Sequence, residues 1–200
     1  MKRSRTFTVE NIWYYYKLPI LIGGAIVALV IYMFATAPPQ RTAVLNVVLV
    51  GSGISQERLT HLEQQATAAL APDPGHEEIA ITPLATTGPL AEDSAPTIKL
   101  LALLSTQGVD VLIMDRQDFA ALAARHVFLN LGSLAAFAPV SSRWWPGGGT
   151  RVAPAYGVAL AGRTRWSDVS AAAGDTVAGI VTATPHRATA IRFVQWLLQA

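Results

Sequence analysis

The chain has 200 residues, with 15 Lys+Arg against 13 Asp+Glu and no cysteine. The lack of cysteine excludes disulfides, thiolate metal sites and cysteine nucleophiles, so a folded domain here must rest on its core. The basic excess is confined to the N-terminus: residues 38–200 hold 11 Lys+Arg and 12 Asp+Glu, which removes the footprint of a nucleic-acid binder.

Residues 1–17 carry Lys2, Arg3, Arg5 and Lys17, with Trp13, Tyr14, Tyr15 and Tyr16 next to the last of these. Residues 18–37 then run without a charge. As a helix rising about 1.5 Å per residue they span roughly 30 Å, enough for the hydrocarbon core of a bilayer. The aromatic cluster beside Lys17 suits the membrane interface, and the flanking charges place the N-terminus in the cytoplasm. The expectation is a single-pass protein of the cell membrane, with the bilayer as partner through residues 18–37 and the rest extracytoplasmic. Ala35-Thr36-Ala37 also reads as a small-x-small site, so a secretory signal cleaved after Ala37 is the rival reading.

Pro38 and Pro39 end the helix, and residues 38–43 form a spacer. Residues 44–200 then read as one extracytoplasmic domain. Residues 44–50 are β-branched and almost wholly apolar, as in a strand covered on both faces. Gly51-Ser52-Gly53 is a tight exit, and Ser55 caps a helix to about Leu70 with Leu59, Leu62, Ala66 and Ala69 on one face. Residues 78–84 give a second strand, weakened by Pro83. Ser94 caps a helix with Pro96 in its first turn, stopped at Gly108. Residues 109–114 form a third strand. Asp115 and Asp118 have the spacing of a capping pair for a helix carrying Phe119, Leu122 and Ala123.

Residues 127–131 are a short apolar return, and 132–137 about one helical turn. Residues 139–151 read as a flexible loop insert holding Arg143, Trp144 and Trp145. Residues 152–160 read as an interrupted edge strand, 161–175 as irregular and 176–182 as a last strand. Thr184 then caps a helix with Pro185 at its first position and Ile191, Val194, Leu197 and Leu198 on its apolar face. Three rounds of strand and helix predict an α/β fold with one mostly parallel βαβ sheet.

The run VDVLIMDRQDFAALAARHVFLNL (109–131) resembles the extracytoplasmic solute-binding proteins of type 2 periplasmic-binding fold. In that family a strand ending in an acidic residue, a helix with an early Phe and a Leu-x-Leu closure follow one another. The segment TATPHRATAIRFVQWLL (182–198) resembles the family's C-terminal helix, and Tyr156-Gly157-Val158-Ala159-Leu160 its returning cross-domain strand. The chain departs from the family in length: between Leu131 and the last strand lie about 45 residues, too few for a second lobe. It also lacks the lipobox cysteine. The resemblance therefore implies a single, helix-anchored lobe, offering half a cleft.

Chemistry-bearing residues are sparse. Gly51, Ser52 and Gly53, between a strand and a helix, form either an ordinary turn or the place where an anionic group meets a helix N-terminus. No Lys follows and no GxGxxG is completed, which argues against a nucleotide cofactor. Asp115, at the carboxyl end of a strand, is a helix cap or a ligand contact, with Tyr156 as a third candidate for a small-molecule ligand. Asp110 opens the third strand about 15 Å from Asp115, too far to share a metal ion. His61, His76, His126 and His186 lack ligand spacing and read as surface or turn residues. Ser141-Ser142 lacks a nucleophile elbow, and no nucleophile–base pair is visible. Arg143, Trp144 and Trp145 read as a contact for a partner, a ligand or the membrane surface, or as a cover for the sheet edge. The sequence thus predicts a non-enzymatic, membrane-anchored binding-protein-like domain without cofactor or metal. It would serve as sensor, transport accessory or envelope assembly partner. The alternatives are a solute-capturing component of a transporter and a cell-envelope enzyme.

Overall fold

The structure is a computed structural model that describes residues 21–33, 41–86, 88–91, 94–137, 144–145, 155–160, 162, 164–167, 169 and 175–199. The chain divides into two units, residues 1–40 and 41–200. In the first, residues 21–33 form a helix, α1. Its apolar side chains are exposed, from Val30 at 43% to Tyr32 at 68%. Among the described residues no helix is long and apolar enough to cross a membrane. α1 covers the middle of the expected 18–37 span; Leu18, Pro19, Ile20 and residues 34–37 lie outside the described residues, as do residues 1–17.

The second unit is built on one six-stranded sheet. Its elements are β1 (Thr42–Gly51), α2 (Gln56–Leu70), β2 (Glu77–Ala85), α3 (Ala95–Ser105), β3 (Val111–Asp115), α4 (Arg116–Ala123), β4 (Trp144–Trp145), β5 (Gly157–Ala159), α5 (Thr164–Ser167), β6 (Thr176–Ile180) and α6 (Arg187–Leu198). The strand order is β2-β1-β3-β6-β5-β4. β1 runs parallel to both β2 and β3, as the strand–helix alternation predicts. β6 runs antiparallel to β3 and to β5, and β4 antiparallel to β5. Four of the six strands therefore point the same way, and the sheet is mixed.

Alternation along the strands explains their apolar runs. Leu45, Val47 and Leu49 of β1, with Val111 and Ile113 of β3 and Ala178 and Ile180 of β6, face one side, where α2 and α6 pack. Val48, Val50, Leu112, Met114 and Val177 face the other, where α3 and α4 pack. A strand covered on both faces has no polar alternate positions to show.

Three local readings change. Pro83 sits within β2 without harming it, because β2 is an edge strand. The outward N–H groups of Glu77, Ile79 and Ile81 bond Asp73 O (2.8 Å), Thr67 Oγ1 (3.0 Å) and Glu63 Oε1 (3.1 Å). Pro83 falls on the same parity and has no N–H to leave unpaired. Burial raises the Glu63 carboxyl above its usual range, partly offset by the Ile81 hydrogen bond. Thr184 does not cap α6: His186 holds that position, and Pro185 lies in the turn before it. The Trp pair, expected within a loop, forms the backbone of edge strand β4, with Trp144 opposite Val158 and Trp145 opposite Gly157.

Asp110 is the least expected element. It is fully buried. Its Oδ2 accepts the N–H of Asn46 at 2.7 Å, its Oδ1 accepts the Thr184 hydroxyl, and His186 Nδ1 lies 3.2 Å from Oδ2. Its backbone joins β1 and the end of β6 as well, donating to Asn46 O (2.8 Å) and accepting from Val181 N (2.9 Å). Ser94 caps α3 as expected, accepting from Thr97 N at 3.3 Å.

Two glycines open space for an aromatic stack. Phe119 and Phe128 stack with centroids 4.1 Å apart. A Cβ at Gly179 would lie 2.6 Å from Phe119 and 2.8 Å from Phe128, and one at Gly157 would lie 2.5 Å from Val177. Gly179→Ala is expected to destabilise the domain by about 1–3 kcal/mol through overpacking, read as a lower midpoint in urea with unchanged slope. Asp110→Ala, which strands the Asn46 N–H of β1 and the Thr184 hydroxyl of the turn before α6, is expected to cost about 3 kcal/mol in the same measurement.

Candidate functional site

The sequence places its candidates at the carboxyl ends of the parallel strands, and the register tests which of them meet. Val47 of β1 is level with Val111 of β3 and Leu49 with Ile113, so continuing that register brings Gly51 to the level of Asp115 at the ends of the two strands. Asp115 pairs with Thr176 at the start of β6. Gly51, Asp115 and Thr176 thus form one continuous edge. Ser52 and Gly53 continue from it, both exposed, with Gly53 at φ 64° in the left-handed region that suits glycine. A side chain at Gly51 would meet no atom within 4 Å, so the space beside its Cα is open.

Tyr156 does not join them. Val158 is level with Ala178, which is level with Ile113, so Tyr156 lies near the level of Val111, at the opposite end of the sheet. That is about 13 Å along the strands from Asp115. The ring packs half-buried with the cluster that holds Phe119 and Phe128. Arg143 lies outside the described residues, and of Trp144 and Trp145 only the backbone is described.

Two loops frame the edge. Thr86 N donates to Gly51 O (3.1 Å) and Leu90 N to Asp118 Oδ1 (3.0 Å), which draws the β2–α3 connection across from β1 to α4. Ser55 N donates to Val169 O (3.2 Å), tying the β1–α2 connection to the residues after α5. Ser55 and Asp115 hold the N-cap positions of α2 and α4, yet neither side chain caps its helix. Asp118 also does not complete a capping pair; it holds the loop at Leu90 instead.

The charge at this edge is mainly negative. Asp115, Asp118 and Asp175 gather here, with Arg116 paired to Asp175 at 3.0 Å. Burial, and then the carboxylates of Asp118 and Asp175, hold the Asp115 carboxyl above its usual range. Among the described residues no group of three or more His, Asp or Glu side chains is placed to hold a metal ion. The edge offers space beside the Gly51 Cα and carboxylate acceptors. That set suits hydrogen-bond donors rather than an anion. Arg116, the cation at this edge, is paired with Asp175, so the anion reading of the Gly51–Gly53 turn gains no support from it.

Two further features escaped the sequence. A broad depression of about 970 Å³ lies along the polar face of α2, lined by Glu57, Arg58, His61, Gln65 and Arg165 among others. Arg165 is held there with its guanidinium 4.6 Å over the Trp196 ring. The second is the Asp110–His186 contact at the opposite end of the sheet from Asp115. Its partners are 76 residues apart, so no spacing pattern could announce it.

The raised carboxyl of Asp115 has a pH consequence. The folded pKa lies above the unfolded one, so the native state favours the protonated form and loses stability as pH rises through the folded value. Asp115→Asn is expected to raise Tm at pH 7, and the gain should vanish below about pH 4, in thermal unfolding followed across that range.

Neither a family model nor a curated protein matches the sequence. Among solved structures it is similar to "Extracellular solute-binding protein family 1 from Alicyclobacillus acidocaldarius subsp. acidocaldarius DSM 446", at 17% identity and a TM-score of 0.41 over 62% of this chain. The chain matches 29% of that protein's length.

Proposed function

We propose that this chain is a membrane-anchored, extracytoplasmic, binding-protein-like domain that acts by binding rather than catalysis, as a sensor, transport accessory or envelope assembly partner. The observation that carries the reading is the charge-free stretch 18–37 preceded by four positive charges and an aromatic cluster. Within that stretch α1 exposes Leu21, Ile22, Ile26, Val27, Leu29 and Ile31, an apolar surface suited to lipid. The spacer to Thr42 is short, so the sheet begins close to the anchor in the chain.

The resemblance of residues 109–131, 156–160 and 182–198 to solute-binding proteins supports a binding role. So does the edge at Gly51, Ser52, Gly53 and Asp115. In open α/β sheets ligands bind at the carboxyl ends of the strands.

An epitope tag after Ala200 in intact spheroplasts tests the topology. The tag is expected to be removed by added protease, and the chain to stay with the membranes through alkaline extraction. A protected tag would overturn the orientation. A tagged chain released without alkali would show cleavage after Ala37 in place of an anchor.

A further inference from the structure

We infer that the depression along the polar face of α2 is a docking groove for an extended peptide segment that sets an acidic side chain against Arg165. This goes beyond the binding role proposed above. The groove shares no lining residue with the Gly51–Asp115 edge, and the inference holds whether or not the chain is anchored. The groove has a volume of about 970 Å³ and includes the buried Leu62 and Val169 in its lining. Its α2 side is the exposed row Glu57, Thr60, His61, Gln64 and Gln65. From Glu57 to Gln65 that row runs about 12 Å at about 1.5 Å per residue. Roughly four residues of extended chain cover the same length. A closed solute pocket buries most of its ligand. An exposed row of this length instead matches a segment laid along it.

The row offers a peptide backbone both kinds of partner. His61 Nδ1 and the Gln65 amide nitrogen restrain each other at 3.3 Å. The Thr60 hydroxyl donates to Gln56 O at 3.0 Å and keeps a lone pair for an incoming N–H. Arg165 decides the charge of the occupant. It is half-buried, with its guanidinium carbon 4.6 Å over the Trp196 ring and Nη1 3.5 Å from Trp196 O. These contacts restrain the planar fork, and no carboxylate among the described residues pairs with it. Such a fork takes a carboxylate through two parallel N–H groups. Arg58, the second arginine of the lining, already has a partner. Two arginines against Glu57 leave the described lining with a positive formal charge, which favours an acid over a lysine.

The test uses the full chain in zwitterionic nanodiscs, with nitrogen-labelled tryptophan and arginine followed by NMR. The probes are the end-capped peptide Gly-Ser-Glu-Ser, its Gln and Lys counterparts, and acetate. The Glu peptide is expected to shift the Trp196 indole and Arg165 Nε signals saturably, at concentrations about ten-fold or more below the Gln peptide. The Lys peptide and acetate should give no saturable shift over that range. Arg165→Gln should bring the Glu peptide to the level of the Gln peptide. Gln64→Glu, an exposed change that leaves the core alone, should weaken the Glu peptide several-fold and spare the Gln peptide. Absence of saturable shifts with the Glu peptide overturns the groove, and so does binding untouched by Gln64→Glu. Equal affinity for the Glu and Gln peptides overturns the role of Arg165. Saturation by acetate at the same concentrations overturns the peptide as occupant.

Discussion

A single buried carboxylate joins the two halves of this sheet. Strands β2, β1 and β3 form the parallel half, and β6, β5 and β4 the antiparallel half. Asp110 lies just before β3, where these halves meet. Its side chain accepts from the backbone of β1 and from the turn that leads β6 into α6, and its own peptide bonds to β1 and to Val181. A charge buried without partners is intolerable, so the chain on either side must arrive where it can donate. The same carboxylate holds the turn at the start of α6, whose Phe193, Val194 and Leu197 enter the core.

The rest of the architecture follows from coverage. Both sheet faces are apolar, so helices must lie on both: α2 and α6 on one, α3 and α4 on the other. Where side chains crowd, the chain uses glycine, as at Gly157 and Gly179 beneath the Phe119–Phe128 stack. Polar groups accumulate at the ends of the strands, where coverage stops. Gly51 and the carboxylates of Asp115 and Asp118 sit at one such end.

Part of this was legible in the chain. The first three strands and their helices announce themselves because a strand buried on both faces is an unbroken apolar run, and helices α2, α3 and α4 have a periodic face. That Gly51 and Asp115 share one end of the sheet follows because both close strands of the parallel half. The direction of β6 was not legible: its composition is that of any buried strand, and whether it lies parallel depends on a neighbour that is not adjacent in sequence. Tyr156 was misplaced for a related reason. It stands at the start of β5, and the start of that strand points away from Asp115. Asp110 and His186 look ordinary in sequence, since a hydrogen bond across 76 residues leaves no local pattern.

The treatment of β2 bears on how copies of this chain behave together. A vacant strand edge is a template on which another chain can lay its own backbone. Here Thr67 and Glu63, one turn apart on α2, occupy donors two residues apart on the strand, and proline takes the next place. Neighbours brought side by side at high density would find the N–H donors of that flank already taken along Glu77–Pro83. A second chain laid along this side would find half of the edge's hydrogen-bonding groups, the donors, already engaged.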